Sequence, residues 1–212
     1  MSELAKDIYL IAHGEAEHHV QGLVGGWYDS DLTELGRRQA DAIAQRISEL
    51  VGRNARPEVF TSDLKRAAQT AVPVAAALGV EVKQLPDLRE RSYGSAGGRP
   101  DAWLEAHAVY ASKDGDRLDH RDGIPDAETK REVATRIYRA MERIEQSPCP
   151  IQVVVTHGYA ITFAIAAWIH MPIESVGWVN FRSSSGGISH LREDDRWFNR
   201  YVMNLNDVTH LR

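Results

Sequence analysis

The chain has 212 residues, 43% hydrophobic and 26% charged, with a formal net charge of −5. This suits one α/β domain with a real core, and the lack of any lysine- or arginine-rich run argues against nucleic acid as a main partner. A single cysteine, Cys149, rules out an intrachain disulfide. No apolar run approaches a membrane span, and Met1 to Asp7 is polar with no signal-peptide pattern, so the expected location is the cytoplasm, with no membrane partner.

In chain order, residues 7–12 form a short β-rich apolar run that stops at His13-Gly14, as a buried parallel strand would. Residues 14–32 are too irregular for a regular element. Thr33 is the expected N-cap of a helix with Leu35, Ala40, Ile43, Ile47 and Leu50 along one face. A second strand is expected at 58–61. An Ala-rich helix follows at 63–78, with Pro73 expected to kink or break it. A third strand is expected at 80–83, then loop from 86 to 100, a short helix at 101–112 and an exposed charged excursion at 115–123. Val133, Ile137, Met141 and Ile144 predict an amphipathic helix from about 126 to 146. Residues 151–156 read as the most buried strand, followed by a helix at 159–169 and strands at 177–182, 187–192 and 197–204. The expected architecture is a three-layer α/β/α fold around a mostly parallel sheet. Residues 1–212 form one domain, with 86–125 as a cap.

Ligands of open α/β sheets bind beyond the carboxyl ends of the strands. His13 and His157 each follow a strand directly, Arg66 falls in the first turn of the helix after the second strand, and Glu90 falls in the loop after the third. An imidazole with a free ring nitrogen can attack phosphorus, an arginine fork suits phosphate oxygens, and a carboxyl group of raised pKa can protonate a leaving oxygen. Gly14 would let a phosphate approach the backbone closely. One His-Gly at a strand end is ordinarily a turn; two of them with Arg66 and Glu90 at matching ends point to catalysis. The remaining histidines lack metal-site spacing, and the adjacent His18 and His19 are expected to point apart. Trp27-Tyr28 reads as an entrance or a packed surface loop, and Ser183 to Gly187 as a hairpin turn whose amides could reach the pocket. Arg89 and Arg91 read as recruiters of anions or as solvated charges, and Tyr93 to Arg99 as a mobile rim.

His13-Gly14-Glu15, Asp31-Leu32-Thr33 with Gly36, Ser62-Asp63-Leu64-Lys65-Arg66-Ala67, Leu88-Arg89-Glu90 and Thr156-His157-Gly158 occur in this order. With Asp126-Ala127-Glu128-Thr129 before the long helix, the set resembles the histidine phosphatase superfamily, the phosphoglycerate mutase-like proteins and their phosphatase relatives. The resemblance implies that His13 is the phosphorylated nucleophile, that Arg66 and His157 hold the phosphate and that Glu90 donates the proton, with no metal or other cofactor. The family motif begins Arg-His-Gly, whereas this chain has Ala12; it also has Ala16 and His19 where the family usually has Thr or Ser and Asn. Losing one preorganised donor costs on the order of 10²–10³ in rate, and a protonated His19 is the candidate replacement.

The expected function is hydrolysis of a small phosphorylated or anionic substrate through phospho-His13, the compact chain favouring a phosphatase over a mutase. The alternatives are isomerase or proton-transfer chemistry on a biosynthetic intermediate, or a ligand-binding pseudoenzyme. Substrate and oligomeric state stay open, with a homodimer as the candidate assembly.

Overall fold

Six strands form one sheet in the order β3-β2-β4-β1-β5-β6: β1 (Lys6–Ala12), β2 (Glu58–Thr61), β3 (Val82–Gln84), β4 (Ile151–Thr156), β5 (Ile188–Glu193) and β6 (Arg200–Asp207). The computed structural model describes residues 5–52 and 55–212, so part of the polar start at Met1 to Asp7 lies outside the described residues. The first four strands pair in parallel, whereas β5 joins β1, and β6 joins β5, in antiparallel fashion.

Side-chain alternation along the central strands builds two cores. Ile8, Leu10 and Val154 face α5 (Lys130–Glu145) and α6 (Gly158–Trp168). Tyr9, Ile11, Val153 and Val155 face α2 (Glu34–Val51) and α3 (Lys65–Leu78). The result is the expected three-layer α/β fold.

The buried stripe of α2 is Gly36, Ala40, Ile43, Ala44 and Ile47; Leu35 and Leu50, at the helix ends, are 42% and 38% exposed. α3 runs unbroken through Pro73. Burial of Ala67, Ala71, Val74, Ala75 and Leu78 outweighs the one hydrogen bond that proline removes. Residues 177–182 are not a strand. A 3₁₀ turn at Ile173–Trp178 is followed by irregular backbone, because the segment spans the end of α5 rather than an open sheet edge. The 14–32 stretch, expected to be irregular, contains a one-turn helix, α1 (Glu17–Gln21), ended by Gly22 in the left-handed region at φ 62°. The helix expected at 101–112 is shorter, α4 (Asp101–His107). The 115–123 excursion is anchored at Leu118, which joins the α5–α6 core, and at Asp122, which pairs with Arg91 at 2.7 Å.

Candidate active site

Strand register brings the two histidines together. Ala12 lies opposite Thr156 in the β1–β4 ladder, so the next residue of each strand, His13 and His157, leaves the sheet at the same edge. Their rings meet edge to face with centroids 5.0 Å apart. Thr61 of β2 lies opposite Val155, which sets Ser62 beside them with its Oγ 2.9 Å from His157 Nε2.

His13 is 6% exposed, and its two ring nitrogens have different partners. Nδ1 is 2.7 Å from the Gly14 carbonyl, which can only accept, so the ring proton is assigned to Nδ1. Nε2 therefore carries a lone pair, and it accepts the Nε–H of Arg66 at 3.1 Å. Burial, and then the Arg66 guanidinium, hold this imidazole well below its usual pKa. His13 is neutral and in the tautomer a nucleophile needs.

Arg66 is 1% exposed. Its Nη1 donates to the Tyr28 carbonyl at 3.0 Å and its Nη2 to the Gly26 carbonyl at 2.6 Å. These bonds fix the fork and leave a hydrogen on each terminal nitrogen for an anion. His157, fully buried, is also held neutral, by burial first and then by Arg66 and His13. Its Nδ1 is buried with no partner among the described residues.

Glu90 comes from the loop after β3. Its Oε1 accepts the Arg91 amide at 2.8 Å and its Oε2 the Tyr159 amide at 3.0 Å. Burial nonetheless raises its pKa, as a proton donor requires. Its loop is braced from α5: Arg136 donates to the carbonyls of Asp87, Arg89 and Glu90 and forms paired hydrogen bonds of 2.8 Å with Glu128. Glu128 in turn accepts the Ser92 amide at 2.7 Å.

A cavity of about 410 Å³ opens over these groups, lined among others by Ala12, His13, Arg66, Glu90, Tyr93 and Ser183. His18 and His19 line it too, against the expectation that they diverge. Their centroids are 4.1 Å apart, and His19 stacks on His13 at 5.6 Å. The short helix allows this because each ring is tied back: His18 Nδ1 lies 2.6 Å from Ser30 Oγ, and His19 Nδ1 accepts the Ala16 amide at 3.2 Å. Burial and Arg66 lower the His19 pKa, so without an anion it offers a neutral Nε2–H rather than the expected positive charge. His18 is pushed down to about 3 by burial, His19 and Arg66.

Gly14 has a different role from the one expected. A Cβ there would stand 2.5 Å from the Gly36 carbonyl oxygen, and its amide donates to Thr70 Oγ1 at 3.2 Å. Close packing against α2 requires the glycine, and its carbonyl sets the His13 tautomer; its amide is not free for phosphate. Arg89 is not a free anion recruiter either, since it pairs with Asp63. Arg91 is bound to Asp122 and to the Glu128 carbonyl. Trp27 lies outside the cavity wall and donates to the Glu90 carbonyl at 2.7 Å. Among the described residues, no group of three or more His, Cys, Asp and Glu side chains could hold a metal ion.

The sequence profile of the histidine phosphatase superfamily (branch 1) matches residues 8–205. The chain belongs to this family. It is 34% identical over 213 residues to a metal-independent phosphoserine phosphatase of Arabidopsis thaliana, covering 97% of this chain and 83% of that protein. It is 30% identical to a probable phosphoglycerate mutase GpmB of Serratia proteamaculans, covering 96% and 94%. The fold is similar to that of Bacillus stearothermophilus YhfR, with a TM-score of 0.77 at 24% identity over 98% of this chain and 100% of that one. It is also similar to that of a mycobacterial glucosyl-3-phosphoglycerate phosphatase, at 0.75 and 24% over 95% and 99%. The protein is an enzyme of the histidine phosphatase type.

The structure of this histidine phosphatase brings His13, Arg66, Glu90, His157 and His19 to one edge of the sheet. Sequence reasoning missed Arg136, whose position midway along α5 reads as a solvated helix face. It also missed Ser62, although the strand register with β4 follows from the parallel pattern. Ser183, Ser184 and Ser185 form cavity wall rather than a plain hairpin turn.

Proposed function

We propose that the chain hydrolyses small phosphomonoesters through a phosphohistidine at His13. The observation that carries this reading is the His13 tautomer, with Nδ1–H held by the Gly14 carbonyl and the Nε2 lone pair turned to the Arg66 fork. Nε2 attacks phosphorus as the bond to the leaving oxygen breaks, and Glu90 gives its proton to that oxygen. Arg66 yields the lone pair and turns its free hydrogens to the phosphoryl oxygens, joined by His19 Nε2–H and by His157 Nδ1–H, the tautomer in which His157 Nε2 accepts the Ser62 hydroxyl. Water then attacks phosphorus, the N–P bond breaks, and the Glu90 carboxylate takes the water's proton. Quenching turnover of ³²P-labelled substrate should trap acid-labile label on residue 13. Steady turnover with no label in any quench would count against the intermediate.

Glu90→Gln should lower kcat by about 10²–10⁴ on alkyl phosphates and little on p-nitrophenyl phosphate, whose leaving oxygen needs no proton. The sign of the pH effect follows from the acid role. The protonated carboxyl is present below its raised pKa, so alkyl ester hydrolysis falls as pH rises through that value. Persistence of this alkaline limb in Glu90→Gln would assign it to another group.

Ala12 ends β1 and lines the cavity, and among the described lining residues Arg66 is the sole lysine or arginine. That single cation favours, as a second reading, proton-transfer chemistry without hydrolysis. Ala12→Arg should raise kcat/KM on phosphomonoesters by about 10²-fold, the inverse of losing one transition-state donor. Hydrolysis seen only in Ala12→Arg, with none in the parent chain, would support the second reading.

A further inference from the structure

A second cavity, of about 220 Å³, lies within the 86–130 region, behind Tyr93, which lines both it and the His13 cavity. Arg91, Arg117 and Lys130 converge on it, with Asp122 as the one carboxylate among its described lining residues. Asp122 is already spent on Arg91 at 2.7 Å. Arg117 and Lys130 have no carboxylate partner among the described residues. Both donate instead to the same backbone oxygen, that of Gly177, at 3.3 and 2.9 Å. Arg117 stacks on Trp178 at 5.0 Å, which holds its guanidinium at the cavity wall. Burial, and then repulsion from Arg117 and Arg91, lower the Lys130 pKa. Two cations half-buried against each other, hydrogen-bonded to one neutral carbonyl and facing the charge of the already paired Asp122, are an arrangement that a bound anion would relieve.

We propose that this cavity is a second oxyanion site, separate from the His13 pocket, in which Arg117 and Lys130 hold a carboxylate or phosphate group. Two sources share that chemistry: the far end of a substrate whose scissile phosphate lies at His13, and a free anion bound on its own account. Only the first source rests on the phosphatase reading. Tyr93, between the two cavities, is where a substrate reaching both would cross.

Site-resolved NMR titration of the whole chain with inorganic sulfate separates these possibilities. The expected result is saturable shifts at the Trp178 indole and the Gly177 amide. Their midpoint should rise about tenfold in Lys130→Met and in Arg117→Gln, and stay unchanged in Arg66→Met. Two single variants are used so that a folding failure in one leaves the other decisive. Shifts confined to the His13 loop, or a Trp178 midpoint equal in the parent and in Lys130→Met, would overturn the site. For the source, KM is compared on phosphoserine and on phenyl phosphate. A rise of about tenfold in Lys130→Met for phosphoserine alone identifies the substrate's carboxylate. Unchanged KM for both, with the sulfate shifts weakened, identifies a free anion. A chain that turns over no phosphomonoester would sink the phosphatase reading and leave the sulfate result standing.

Discussion

His13→Ala should reduce phosphomonoester turnover by about 10⁴-fold or more, because a residue that forms the covalent intermediate cannot be replaced by the electrostatics around it. The change removes the attacking lone pair and also leaves the Nε–H of Arg66 without its acceptor. The Tyr28 and Gly26 carbonyls still hold the guanidinium, so the anion pocket should survive. The expected signature is a collapse in kcat, loss of trapped label, and phosphate binding within a few-fold of the parent. Turnover in His13→Ala near the parent level would end the nucleophile assignment. Equal loss of binding and rate would instead mean that the pocket had collapsed, which a circular dichroism melt would reveal.

Arg136→Met should be the most destabilising change near the site. The methionine keeps most of the apolar stem but strips the Glu128 carboxylate of its counter-charge and the Asp87 and Arg89 carbonyls of their side-chain donor, while the Glu90 carbonyl keeps Trp27 and Glu128 keeps the Ser92 amide. Removing one partner of a buried ion pair costs about 3–5 kcal/mol, a fall in Tm on the order of 10 °C for a chain of this size. The rate should fall as well, because the loop that aims Glu90 loses its brace. Adding Glu128→Gln should cost less than the sum of the two single changes, since the first has already stranded the pair. A melting curve for Arg136→Met that overlays the parent's would show that the brace contributes nothing.

How much was legible follows from the range of each signal. The central strands and α5 could be read because burial imposes a period on consecutive residues, as at Val133, Ile137, Met141 and Ile144. His13, Arg66, Glu90 and His157 could be read because strand ends are local features and one sheet edge collects them. The failures were of two kinds. Residues 177–182 have strand-like composition, but no strand edge is offered to them, and composition alone cannot see that. Arg136 and the His18–His19 contact depend on partners distant in the sequence or on a tie such as His18 to Ser30, which no spacing encodes. The need for glycine at 14 is equally invisible locally, since the neighbour that imposes it, Gly36, is 22 residues away on α2.

The brace on Glu90 has a consequence for how such an enzyme can diversify. Its anchors, Glu128 and Arg136, sit at the start of α5 and beneath the loop, whereas the 101–125 stretch contributes Asp101 to the His13 cavity and Arg117 to the other. Outside Leu118 and Asp122, which anchor the core and Arg91, changes in that stretch can accumulate without misaiming the proton donor. Ligand preference can therefore drift while the reaction machinery stays fixed, and one scaffold can serve descendants with unrelated diets.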